Sequence, residues 1–67
     1  EGIPIKISID GVEESVKVKV AKDSKGEIVQ IKPEYDDAER VAAKTGKPLR
    51  KIMDLVKSEA ERKLLGR

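Results

Sequence analysis

The stretch Ile31-Lys32-Pro33-Glu34-Tyr35-Asp36-Asp37-Ala38-Glu39-Arg40 is where the chain changes period. Upstream of Pro33 the apolar residues alternate; downstream they recur every third or fourth position. The first repeat belongs to a half-buried strand and the second to an amphipathic helix. Pro33 has no N–H to give to a ladder, and its fixed φ suits the start of a helix, so the switch falls there. The same ten residues hold four carboxylates and the only aromatic side chain of the chain, which makes the junction the first candidate for a site.

Upstream, Ile3, Ile5, Ile7 and Ile9 alternate with Pro4, Lys6 and Ser8, predicting a strand over 3–9, with Pro4 at an edge or at the strand's beginning. Asp10-Gly11 is a turn dipeptide, and the polar Glu13-Glu14-Ser15 reads as its continuation. A second strand is predicted from Val16 through Val20, with Lys17 and Lys19 on the face opposite the valines. Asp23-Ser24-Lys25-Gly26 has hairpin-loop chemistry, and a third strand covers 27–32. Short strands joined by tight turns imply an antiparallel meander with one wet face.

Downstream, a helix is predicted from Glu34 or Tyr35 to Lys44, with Tyr35, Ala38, Val41 and Ala42 along one side and Gly46 as its left-handed stop. A second helix begins at Pro48 and carries Leu49, Ile52, Met53, Val56, Ala60 and Leu64 as a stripe. Leu55 and Leu65 fall outside that stripe, as contacts for a neighbouring copy would, and Gly66-Arg67 is expected to fray. The order β-β-β-α-α predicts a single α+β domain over 1–67: a small three-stranded antiparallel sheet with two helices packed on one face.

With 67 residues there is room for one core and no separate substrate domain. The absence of His and Cys excludes a Ser-His-Asp or Cys-His centre and a structural zinc site, so any metal must be held by oxygen. A small domain without disulfides fits the cytosol better than an oxidising compartment. No apolar run is long enough for a membrane span. Fifteen basic residues against thirteen acidic ones give a mixed surface of net charge +2, unlike the one-signed field of an obligate nucleic-acid binder.

Three features compete as sites. Glu34, Asp36, Asp37 and Glu39 suit the first turns of a helix, where each carboxylate gains about 0.3–1 kcal/mol from the exposed N–H groups. Glu34 and Asp37 are also three apart on one helical face, a spacing able to hold a magnesium or manganese ion bridged to phosphates. Lys17 and Lys19, with Lys32 on the neighbouring strand, serve solubility and edge protection, or form a phosphate-binding strip. Ala42, Gly46 and Ile52 match the spacing of a DNA-binding helix-turn-helix, with Arg50 and Lys51 early on the second helix. Lys47 stands where that motif wants an apolar residue, and Asp54, Glu59 and Glu61 would repel phosphates.

Taken together, Val16-Lys17-Val18-Lys19-Val20, Val29-Gln30-Ile31-Lys32-Pro33-Glu34-Tyr35-Asp36-Asp37 and Thr45-Gly46-Lys47-Pro48-Leu49-Arg50-Lys51-Ile52 resemble the C-terminal end of the LarC family, nickel insertion proteins of nickel-pincer cofactor biosynthesis. The resemblance implies a CTP-dependent cyclometallase that inserts nickel into a pyridinium bis-thiocarboxylate mononucleotide with magnesium or manganese assisting. This chain would be an accessory domain of that protein, contributing nucleotide binding or subunit assembly as a homo-oligomer. It further implies Lys17 and Lys19 as phosphate contacts, Tyr35 as a cofactor contact or a packing residue at the strand–helix joint, and Glu34 and Asp37 for a nucleotide-bound metal. Where the family places a Thr-Pro-x-Gly turn before its Val-Lys strand, this chain has Gly11-Val12-Glu13-Glu14.

Overall fold

The protein is described from a computed structural model over residues 2–66. Three strands, β1 (Ile3–Ile9), β2 (Val12–Lys22) and β3 (Ile28–Pro33), form one antiparallel sheet in the order β1-β2-β3, followed by helices α1 (Tyr35–Thr45) and α2 (Leu49–Leu65). The predicted α+β architecture is the one adopted. Among the described residues no helix is long and apolar enough to cross a membrane.

The β1–β2 hairpin closes more tightly than the polar run after Asp10-Gly11 suggests. Asp10 and Gly11 take φ values of 51° and 80°, the left-handed pair of a two-residue turn, and Ile9 pairs with Val12 at once. Glu13, Glu14 and Ser15 are therefore strand residues opposite Ser8, Ile7 and Lys6, a correction to their reading as turn. Backbone pairing overrides their polar composition because the turn fixes the register. Glu14 in consequence points into the buried face, where Lys44 meets it at 3.4 Å. At the other hairpin Asp23 Oδ1 accepts hydrogen bonds from the N–H groups of Lys25 and Glu27, both at 2.9 Å.

One face of the sheet carries Ile5, Ile7, Ile9, Val16, Val18 and Ile31 into the core, where they meet Ala38, Val41 and Ala42 of α1 and Ile52, Val56 and Ala60 of α2. The alanines let α1 and α2 approach closely, and α2 contacts all three strands. Full burial of each Ile or Val side chain stabilises the fold by about 1.5–3 kcal/mol before chain entropy is counted. Leu55 and Leu65, outside the stripe in sequence, pack half-buried at the margin of this core. Gly46 ends α1 in the left-handed conformation and donates its N–H to Ala42 C=O at 2.9 Å. Gly66 caps α2 in the same left-handed conformation and donates its N–H to Arg62 C=O at 3.1 Å; the fraying expected of Gly66-Arg67 falls partly on Arg67, which lies outside the described residues.

Candidate functional site

The site is built on a mismatch of strand lengths. β2 has eleven residues and β3 six, with Val18 opposite Pro33, so β3 ends while β2 still has Ser15–Lys17 to pair on that side. Backbone groups left there unpaired would each lose a hydrogen bond. The first turns of α1 supply the partners instead. Glu34 N–H donates to Lys17 C=O at 2.9 Å, Lys17 N–H donates to Asp37 Oδ2 at 2.8 Å, and Arg40 Nη2 donates to Ser15 C=O at 2.9 Å. Arg40 also holds Asp37 Oδ1 through Nε at 3.2 Å and Nη2 at 3.0 Å. Asp37 and Arg40 thus act as a short length of strand made from side chains.

These contacts set the charge state of Asp37. Burial works to raise its pKa, but the Lys17 N–H bond, the Arg40 hydrogen bonds, and the Arg40 and Lys17 charges together outweigh it and hold the carboxyl below the ordinary aspartate range. Asp37 is consequently an anion throughout the neutral range, with three of its lone pairs already engaged.

The wet face of the sheet lies beside this joint. Lys17, Lys19 and Lys32 are all exposed on it, and Lys19 stands directly opposite Lys32 in the ladder. Like charges at such a position destabilise a sheet. Among the described residues none of the three lysines has an ion-pair partner, whereas Lys6, Arg40, Lys44 and Lys47 each pair with an acid. A shallow cavity of about 230 Å³ opens between Lys19, Lys32, Pro33, Glu34, Tyr35 and Asp36. It combines two cations, two carboxylates and an aromatic side chain. A larger groove of about 590 Å³ runs between β3 and α2, where Lys32 and Lys57 are matched by Asp54 and Glu61 and no aromatic side chain is present.

Tyr35 is 55% exposed, which corrects its reading as a packing residue: it sits at the first position of α1, on the solvent side of the joint, with its hydroxyl 3.4 Å from Glu39 Oε2. Among the described residues no three or more acidic side chains converge as a metal-binding group. A divalent cation at Glu34 and Asp37 would therefore take much of its oxygen shell from a bound phosphate, as magnesium and manganese commonly do.

The sequence reading brought Lys17, Lys19, Glu34, Tyr35 and Asp37 forward, and the structure gathers all five around one strand–helix joint. It missed Arg40, because the excess of β2 over β3 in length appears only once Val12–Ser15 are placed in the strand. It missed Gly2 as well, because the closeness of Gly2 to Glu34 and Lys17 is a tertiary contact. On the other side of the molecule, Arg50 and Lys51 are exposed at the start of α2, while Lys47 is held by Asp10 at 3.3 Å, so the motif position that wants an apolar residue carries an ion pair.

The fold is thus an α+β domain with an open lysine-bearing face beside an acidic strand–helix joint. The family model for nickel insertion proteins matches residues 3–53, and the chain belongs to that family. A proposed nickel insertion protein of Methanosarcina mazei is 40% identical over 60 residues, which cover 90% of this chain and 15% of that protein. One of Methanosarcina acetivorans is 43% identical over 49 residues, 73% of this chain and 12% of the relative. The chain thus spans a small fraction of the length of the relatives it matches. No solved structure matches it.

Proposed function

We propose that this chain is an accessory domain of a LarC-type, CTP-dependent nickel insertion protein of nickel-pincer cofactor biosynthesis, and that its contribution is to hold the nucleotide. The observation that carries the reading is the Lys19–Lys32 pair, two cations without an ion-pair partner among the described residues, opposed across the ladder beside Tyr35 and Glu34. Lysines there offer point charges on flexible stems to a triphosphate. Tyr35 offers an exposed ring edge or face to the base. Glu34, with Asp37 through the one lone pair its Oδ2 keeps, offers oxygen to the magnesium or manganese bound to the phosphates. Nickel is the substrate of the longer protein. With no His and no Cys, this chain supplies binding and orientation, and the carbon–nickel chemistry falls to other parts of such a protein.

Calorimetric titration of the chain with CTP and manganese tests the reading. Saturable heat is expected, with affinity falling about tenfold or more when Lys19 and Lys32 are both replaced by Ala, the scale of removing two near contacts at low salt. No heat with the unaltered chain, or equal binding by the double variant, would contradict it.

A further inference from the structure

The sheet is open at β3: β2 is its neighbour on one side, and among the described residues no strand pairs with the other. The bond from Glu34 N–H to Lys17 C=O fixes which backbone groups face out there. In an antiparallel ladder, directly opposed residues alternate between pairs that exchange hydrogen bonds and pairs that do not. Glu34 and Lys17 continue the register of Pro33 opposite Val18 and are bonded, so Val18–Pro33 is an unbonded pair, Lys19–Lys32 a bonded one and Val20–Ile31 again unbonded. Pro33 therefore stands where the ladder needs no N–H, and Ile31 turns both its N–H and its C=O to the open edge.

Beside that edge runs the groove against α2, with Ile28, Val29, Ile31, Met53 and Leu65 as its apolar wall. Val29 is the extra residue of a bulge, since Ala21 opposes Gln30 and Lys22 opposes Ile28, and it is 63% exposed. A further antiparallel strand laid along β3 exchanges both bonds with Ile31. Opposed side chains share a face of the sheet, so the residue that meets Ile31 enters the groove, and its two sequence neighbours lie on the wet face beside Gln30 and Lys32. The groove calls for an apolar side chain. Lys32, already opposite Lys19, calls for an acid.

We propose that β3 is a docking edge for an extended segment of a partner polypeptide in which apolar and acidic side chains alternate. The backbone of Ile31 supplies the pairing, the groove against α2 takes the apolar side chains, and Lys32 selects the charge on the other face. The inference does not depend on the nucleotide reading, because the open backbone groups of Ile31 and the apolar groove carry it.

The test is titration of the isotopically labelled chain, at low salt, with a short capped peptide of alternating valine and glutamate, following amide shifts and amide exchange by NMR. Saturable binding is expected, with exchange at Ile31 slowed about tenfold or more as its N–H gains a partner. A valine–lysine peptide of the same length should bind about tenfold more weakly, the scale of one near charge reversed at a surface. Lys32→Glu should reverse that preference; it sets an acid opposite Lys19 and so keeps the fold. Methylating the backbone nitrogens of the valine–glutamate peptide should abolish binding, because it removes the donors and spares every side chain. Absence of saturable binding, equal binding of the two peptides by the unaltered chain, or binding that leaves exchange at Ile31 unchanged would overturn the proposal. So would a chain that is dimeric without peptide and already protected at Ile31, since the edge would then belong to a second copy.

Discussion

The two halves of β2 meet the same structural need by different means. From Val18 to Lys22 the strand pairs with the backbone of β3. From Ser15 to Lys17, on the same edge, it pairs with Glu34 N–H, the Asp37 carboxylate and the Arg40 guanidinium. The first half tolerates almost any side chain, since every residue but proline offers the same groups. The second is specific to residue type, because an aspartate and an arginine three apart on a helix reproduce an acceptor and a donor at the spacing of a strand. The difference shows why the acidic joint is more than helix dressing: Asp36 and Asp37 do sit in the first turn, but Asp37 is also a structural member of the sheet, and this fixes Lys17 and Glu34 where the candidate site needs them.

The comparison is broken most strongly at Asp37. Asp37→Ala leaves Lys17 N–H and the Arg40 charge without their partner and should lower stability by about 1–3 kcal/mol in urea denaturation. Asp37→Asn, which keeps an acceptor, should lose less. Amide exchange should accelerate at Lys17 in the Ala variant while Lys19, in the β3-paired half, stays protected. Equal acceleration in both halves would show that the side-chain ladder is not a local device.

A pH titration sharpens the same point with a smaller effect. Because the folded-state pKa of Asp37 is depressed, its contribution is fully present above the ordinary aspartate value, roughly 3.9, and is lost as pH falls from there through the folded value. The stability gap between the unaltered chain and Asp37→Asn should therefore hold steady at neutral pH and narrow as the solution becomes more acidic than about pH 4. A gap independent of pH down to 2, on the order of two units below that value, would contradict the role of the ionised carboxylate.

The smallest predicted effect has the opposite sign and concerns the β3-paired half. Lys19→Glu replaces the Lys19–Lys32 repulsion by an opposite-charge cross-strand pair and should stabilise the chain by about 0.2–1 kcal/mol. The same variant should lose CTP binding. A gain in stability with loss of binding is the mark of a charge arrangement kept for a ligand; a loss of stability would say that the lysines serve the fold.

Most of the fold was legible because strands and helices announce themselves by period. The alternation of Ile3 to Ile9 and of Val16 to Val20, the stop at Pro33, and the stripe from Leu49 to Leu64 each depend on local physics alone. What escaped depended on register. Glu13 to Ser15 look like turn because they are polar, yet a two-residue turn at Asp10-Gly11 commits them to the strand and buries Glu14 against Lys44. Tyr35 follows the helical spacing of Ala38 and Ala42 but lies at the first position of α1, beyond the cover of the sheet, and so is exposed. The candidate site was legible as residue types and not as an arrangement. Lys17, Lys19, Glu34 and Asp37 could be named from spacing, whereas the strand-mimicking pair Asp37–Arg40 and the space kept by Gly2 depend on which strand runs past the end of its neighbour.

The central claim is that the wet face at the β2–β3–α1 joint is where a nucleotide is held. It is tested most directly by adding CTP with magnesium to the isotopically labelled chain and following each backbone amide by NMR. The account predicts that the shifts concentrate at Lys17, Lys19, Lys32 and Glu34–Asp36 and saturate together. Saturating shifts confined to the groove between β3 and α2, or no saturable shifts as CTP is raised, would contradict it.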